Sequence, residues 1–150
     1  MTEATHTKPK HVMMMAAGTG GHVFPALAVA KALQQQGIQV SWLATPTGME
    51  NRLLKNQNIP IYQIDIQGLR GNGVTRKLLA PFKILKATFS AMRYMKQLKI
   101  DAVVGFGGYV AGPGGLAARA LAIPVIIHEQ NAIAGFTNTQ LSRIAKTVCQ

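Results

Sequence analysis

Three glycines, Gly18, Gly20 and Gly21, crowd one turn of the stretch AAGTGGHVFP (16–25), and His22 stands at its exit. Glycine there permits positive φ and lets backbone N–H groups come close to a ligand. A helix opening directly after the turn adds unpaired N–H donors and a partial positive charge. The combination suits a phosphate or pyrophosphate; the plainer reading is a tight strand-to-helix turn. A free imidazole changes charge at about pH 6.5, so a histidine at this place, His22, can hydrogen-bond a phosphate, take a proton from a sugar hydroxyl, or simply help cap the helix.

Two further clusters carry chemistry. A second glycine turn, Gly105-Phe106-Gly107-Gly108, leads into Tyr109, and a polar run, His128-Glu129-Gln130-Asn131, comes later. Four hydrogen-bonding side chains in a row are unusual for a mere turn. Glu129 is one of only five acids in the chain, so a buried or site-facing role is expected of it, against the alternative of a surface-loop carboxylate.

Several chemistries are disfavoured by what these loops lack. No Gly-Lys-Ser/Thr follows the first loop, which argues against a P-loop kinase or ATPase. The dinucleotide fingerprint fails too: Val23 stands where its third glycine belongs, and the second strand ends at Ala44-Thr45 without a ribose-binding acid. His6, His11, His22 and His128 lack metal-ligand spacing, and no acids pair closely in sequence. Transfer of a sugar or phosphate group at such a site is therefore expected to be metal-independent, with helix dipoles and backbone N–H groups stabilising the leaving group.

The elements that must position these loops are short apolar runs alternating with helical patterns. HVMMMAA (11–17), QVSWLA (39–44), IYQIDI (61–66), DAVVGF (101–106) and PVIIHE (124–129) read as buried strands, and TVC (147–149) as the start of another. Helices are expected from about His22 to Gln36, over 49–56, over GPGGLAARAL (112–121) and over roughly 137–145, with Pro81 dividing the region between the third and fourth strands. Such alternation implies right-handed crossovers and a parallel sheet covered on both faces. With strand order 3-2-1-4-5, the reversal falls between the first and fourth strands, and both glycine loops flank that crevice, where open α/β sheets bind ligands.

At 150 residues one domain is expected after a loose polar tail over 1–10. The sequence stops just as a strand begins, as expected of a chain cut at a domain boundary or within a larger protein. Cys149 is the only cysteine, which excludes an internal disulfide framework and fits a reducing compartment. No apolar run is long enough to span a bilayer. Sixteen Lys and Arg against five Asp and Glu give a formal charge of +11, which favours an anionic partner: nucleic acid, an acidic membrane surface or a phosphorylated substrate.

GTGGHVFPALAVA, GLRGNG, GFGGYVAGPGGLAA and HEQNAIAGFTN, in that order, resemble the amino-terminal half of the bacterial undecaprenyldiphospho-muramoylpentapeptide β-N-acetylglucosaminyltransferases, which convert lipid I to lipid II in peptidoglycan synthesis. The resemblance covers nearly the whole chain after the tail. It implies an α/β fold, a Rossmann-like doubly wound parallel sheet forming one lobe of a two-domain GT-B glycosyltransferase. This lobe, residues 11–150, would hold the lipid-pyrophosphate acceptor, and a carboxy-terminal domain absent here would hold most of the UDP-GlcNAc donor. Carried over residue by residue, Thr19, Gly20, Gly21 and Asn131 would meet the donor sugar. Gly18, Gly20, Gly21, His22, Gly107, Gly108 and Tyr109 would receive the acceptor pyrophosphate. His22 and Glu129 are the candidate catalytic groups, His22 as the base. The transfer would invert the anomeric centre, with no cofactor and no protein-bound metal, and the isolated lobe would be inactive.

Between Asp65 and Asp101 there is no acid, yet eight of the sixteen basic residues fall there. Phe82, Leu85, Phe89 and Met92 follow helical spacing and are expected to pack on the sheet. Before them, Val74, Leu78, Leu79 and Phe82 lie among Arg76, Lys77 and Lys83, the make-up of an interfacial anchor on an anionic leaflet. With the resemblance, this places the protein peripherally on the cytoplasmic face of the bacterial inner membrane. Three rival readings stay open: a nucleotide- or dinucleotide-binding Rossmann domain, a basic membrane-surface module without chemistry, and a nucleic-acid binder. The last is disfavoured because Phe82, Phe89 and Tyr94 form no recognisable platform.

Overall fold

The computed structural model describes residues 9–66 and 73–150. The expected tail up to residue 8, with His6, and most of the GLRGNG motif lie outside the described residues. The elements run β1 (His11–Ala16), α1 (Gly20–Gln35), β2 (Gln39–Ala44), α2 (Glu50–Leu53), β3 (Ile61–Gln63), α3 (Val74–Leu98), β4 (Ala102–Gly107), α4 (Ala111–Ala120), β5 (Val125–His128), α5 (Phe136–Leu141) and β6 (Thr147–Cys149). One parallel sheet has the order β3-β2-β1-β4-β5-β6. The expected reversal between β1 and β4 is therefore present, and TVC adds the sixth strand at the edge.

Period-two alternation along β1 sends successive side chains to opposite faces. Val12, Met14 and Ala16 join Trp42, Phe106 and the α1 residues Val23, Ala26 and Ala30 in one core. Met13 and Met15 join Leu43, Val103 and residues of α3, α4 and α5 in the other. A parallel strand buried on both faces reads as an unbroken apolar run, which is why HVMMMA needs no polar residue after His11. At Gly114 a Cβ would overlap Met15 Sδ, and at Gly115 it would overlap Leu141. These two glycines let α4 lie close against the sheet and α5.

The far end of the sheet is tied by polar contacts. The Asp101 carboxylate accepts the backbone N–H groups of Lys10 and His11 at 2.8 and 2.9 Å. The His11 ring bridges the Leu98 carbonyl, 3.0 Å from Nδ1, and the Ser41 hydroxyl, 2.7 Å from Nε2.

Two expectations are corrected. Pro81 does not divide the helical region; α3 runs through it for 25 residues. Pro81 and Lys77, whose carbonyl the proline leaves without its backbone donor, are both exposed, so that carbonyl lies on the solvent side. Nor does most of the bulky stripe pack inward: Phe82, Leu85 and Phe89 are 71, 54 and 60% exposed, Met92 alone of the four packs against the core, and the buried face of α3 is Ala87, Ala91 and Met95. Val74, Leu78, Phe82, Leu85 and Phe89, spaced by four, four, three and four, line one exposed helical face. Two element boundaries also shift. α1 starts two residues before His22, and β3 ends at Gln63, where its pairing with β2 stops at Ala44.

Candidate functional site

The C-terminal ends of β1 and β4 make the floor of the crevice. Between them the register slips: Met15 pairs Gly105, yet Ala16 pairs Gly107, so Phe106 is bulged out of step with β1. A bulge at a strand end frees a backbone group and re-aims the residues beyond it. Those residues are Gly107 and Gly108, at φ +108° and +86°. A Cβ on Gly108 would overlap the Ala17 carbonyl oxygen, and one on Gly107 would lie 2.9 Å from His22 Cε1. The two glycine turns therefore touch, backbone against backbone, and the His22 imidazole lies over the second.

α1 begins in the first turn and α4 directly beyond the second. Thr19 precedes α1 in an extended conformation, and its carbonyl accepts the N–H groups of His22 and Val23, each at 3.1 Å. Neither helix has a side chain capping its N-terminus or an acid in its first turn. Two positive helix ends thus open on the crevice without an acid of their own to offset them. Gly18 turns the chain there at φ +96°.

The polar run after β5 reaches the same place through one residue. Gln130 Nε2 lies 2.6 Å from His22 Nδ1 and 3.2 Å from the Phe106 carbonyl oxygen, the group beside the bulge. Glu129 turns the other way. Only 5% exposed, it accepts Asn131 N and Nδ2 on Oε1 at 3.0 and 2.9 Å, and Gly135 N and Asn138 Nδ2 on Oε2 at 3.1 and 2.9 Å. Burial pushes its carboxyl up, but the four N–H donors together outweigh that and hold it below its ordinary value. Its position is that of an anchor for residues 131–138. His128 stacks on Phe106 with ring centroids 5.0 Å apart.

Of the residues expected at the site, Gly18, Thr19, Gly20, Gly21, His22, Gly107 and Gly108 come together around the crevice. Tyr109 comes directly after them, 42% exposed. Asn131 is exposed, with its amide nitrogen committed to Glu129. Val74, Arg76, Lys77, Leu78, Leu79, Phe82 and Lys83 sit apart on the first half of α3, all exposed. The sequence names Gln130 only within the polar run and gives it no role of its own; its partner His22 is 108 residues away. Among the described residues no three His, Cys, Asp or Glu group as a metal site would require.

The glycosyltransferase family 28 N-terminal domain matches residues 12–150. The chain belongs to this family. An Acinetobacter baumannii (strain AYE) protein named UDP-N-acetylglucosamine--N-acetylmuramyl-(pentapeptide) pyrophosphoryl-undecaprenol N-acetylglucosamine transferase is 86% identical over all 150 residues, which are 41% of that relative. The Haemophilus ducreyi protein of the same name is 55% identical over 94% of this chain and 40% of its own length. The chain thus spans about two fifths of the curated relatives it matches. Among solved structures, Acinetobacter baumannii MurG superposes at TM-score 0.85 with 89% identity, over 94% of this chain and 41% of that one. The Streptomyces sp. SF2575 glycosyltransferase SsfS6 reaches TM-score 0.65 at 18% identity, over 88% of this chain and 42% of that one, a likeness of fold alone. For this family 28 domain the expected fold class holds: a Rossmann-like, doubly wound lobe of the GT-B kind.

Proposed function

We propose that this chain is the acceptor-binding, membrane-associating lobe of an enzyme that transfers N-acetylglucosamine from UDP-GlcNAc to undecaprenyl-pyrophosphoryl-MurNAc-pentapeptide, lipid I, giving lipid II. The observation that carries the reading is the contact of two positive-φ glycine turns beneath His22, between two uncapped helix N-termini. That arrangement offers backbone N–H groups to a pyrophosphate, and the names of the relatives supply the sugar and the lipid.

In the transfer, an acceptor hydroxyl forms a bond to the anomeric carbon as the bond from that carbon to the UDP oxygen breaks, with inversion. Gly18, Gly20, Gly21, Gly107, Gly108 and Tyr109 hold the acceptor pyrophosphate. Thr19, Gly20, Gly21 and Asn131 border the donor sugar. His22 serves either as donor to a phosphate oxygen or as base for the hydroxyl proton, and Glu129 acts by holding the loop that carries Asn131. A second domain outside this chain supplies most donor contacts, so the lobe alone turns over no substrate.

Amide NMR shifts recorded while titrating a soluble polyprenyl-pyrophosphate acceptor mimic, then UDP-GlcNAc, then NAD, test this. The expected result is movement at 18–22 and 107–109 with the mimic and little with NAD. A response to NAD that exceeds the mimic's would replace this reading with the dinucleotide-binding one.

The exposed face of α3 supports the membrane half, on the cytoplasmic side of the inner membrane where the acceptor would be met. No helix among the described residues is long and apolar enough to cross a membrane. Val74, Leu78, Phe82, Leu85 and Phe89, ringed by Arg76, Lys77, Lys83 and Lys86, have the composition of an interfacial contact. Each cation near an anionic leaflet contributes roughly 1 kcal/mol, so Arg76→Gln with Lys77→Gln is expected to weaken partition onto phosphatidylglycerol vesicles about thirtyfold. Unchanged partition, with unchanged salt dependence, would remove α3 from the membrane contact.

A further inference from the structure

Gln130 has one amide nitrogen between two acceptor-facing positions, the Phe106 carbonyl oxygen at 3.2 Å and His22 Nδ1 at 2.6 Å. A carbonyl oxygen accepts and never donates, so the group facing Phe106 must be the NH2 end of the amide. Turned the other way, the side chain would set two oxygens against each other and leave its NH2 without either acceptor. The observed orientation even tolerates a buried Gln130 Oε1 without a partner among the described residues, a cost that one fewer constraint would have spared.

The second hydrogen of that NH2 then points at His22 Nδ1, which must accept it. In a neutral imidazole, a nitrogen that accepts leaves the proton on the other one. We infer that Gln130 is a positioning residue that holds His22 as the Nε2–H form, so that the ring meets the crevice as a hydrogen-bond donor. The His22 ring makes its hydrogen bond through Nδ1 and lies against Gly107, where the two glycine turns meet. A ring held this way suits a pyrophosphate oxygen and does not suit removal of a hydroxyl proton. To act as base through Nε2, His22 would first have to carry its proton on Nδ1, facing an amide that cannot rotate away from Phe106 without leaving that carbonyl unpaired. The bulge at Phe106 is what makes its carbonyl available for this purpose. The sequence position and the fold thus choose between the two roles left open for His22. The lock itself stands on the geometry; the anion it faces rests on the proposed acceptor reading.

The two-bond ¹⁵N–¹H correlations of the imidazole, in this chain at about pH 8 where a free ring is neutral, read the tautomer directly. Wild type is expected in the Nε2–H form. Free imidazole already leans that way, so the variants carry the weight. Gln130→Ala is expected to relax the ratio by about tenfold, the size one hydrogen bond supports. Gln130→Glu is expected to invert it, because its carboxylate accepts from Nδ1–H. An Nδ1–H wild type, or a ratio indifferent to both substitutions, overturns the lock, and the wild-type spectrum alone can overturn it even if one variant fails to fold. Inorganic pyrophosphate is then titrated. Movement of the glycine-loop amides together with His22 Nε2–H supports the donor role. Movement of the loops with His22 unmoved overturns that role. With neither moving, the acceptor reading fails while the tautomer result stands by itself.

Discussion

Gly108→Ala is expected to destabilise the chain by about 2–5 kcal/mol, read as a lower urea midpoint at unchanged slope. Two costs add. The residue sits at φ +86°, where an L side chain costs roughly 1–2 kcal/mol. Its Cβ would also overlap the Ala17 carbonyl oxygen and lie 2.9 Å from the carbonyl carbon. Those are backbone atoms at the end of a central strand, and moving them displaces β1 from its place, a forced overpacking of about 1–3 kcal/mol. Gly107→Ala is a controlled comparison. Its φ is +108°, but its Cβ meets the His22 ring, which can swing aside, so about 1–2 kcal/mol is expected from conformation alone. That variant keeps the fold and breaks the contact between His22 and Gln130. Gly18→Ala, at φ +96° with nothing within 4 Å, should cost least. If Gly108→Ala unfolded at the wild-type urea concentration, the two turns would not be in contact and the crevice would be wider than described.

The reason this glycine matters was only half visible in the residues. Gly107-Gly108 after an apolar run marks a strand-to-helix turn, and the alternation of runs is enough to place that turn beside Gly18–Gly21, because parallel crossovers permit few strand orders. What the sequence does not carry is which glycine faces a backbone and which faces an imidazole. α3 shows the opposite failure. Phe82, Leu85 and Phe89 have helical spacing and bulk, so periodicity assigns them to the core. The buried stripe is instead Ala87, Ala91 and Met95, because α3 packs on α4, whose own surface is AGPGGLAARA. Two helices that approach closely do so on small residues, and small residues weigh little in any hydrophobic pattern. The exposed bulky face is then left for something outside the chain. The role of Gln130 within the flagged polar run was hidden for a third reason: it depends on a carbonyl released by a register slip at Phe106, and no local pattern announces a slip between two strands so far apart in sequence.

Glu129→Ala is expected to cost about 3–5 kcal/mol, since it strands a buried Asn138 amide and the N–H groups of Asn131 and Gly135, and hydrogen bonds to a charged acceptor contribute about 1.5–3 kcal/mol each without adding fully. The pH dependence separates this from a mere cavity. Burial pushes the carboxyl up and four donors pull it down further, leaving it below its ordinary value of 4.5. A depressed carboxyl contributes stability that is fully present above the unfolded value and is lost as pH falls through the folded one. Wild type should therefore lose stability on acidification below about pH 4.5, whereas Glu129→Gln, weaker at neutral pH, should lose less over the same range, and the gap between them should narrow. A gap that stays constant from neutral pH to the acid end would mean that the carboxylate's charge is not what holds the 131–138 loop. A narrowing gap also bears on chemistry. A carboxylate satisfied by four donors is a weak proton acceptor, so holding the loop and serving as a base are competing uses of the same lone pairs. On the proposed acceptor reading, with Glu129 committed to the loop and His22 held as the inferred Nε2–H donor, the proton of an acceptor hydroxyl would be taken by a group other than these two.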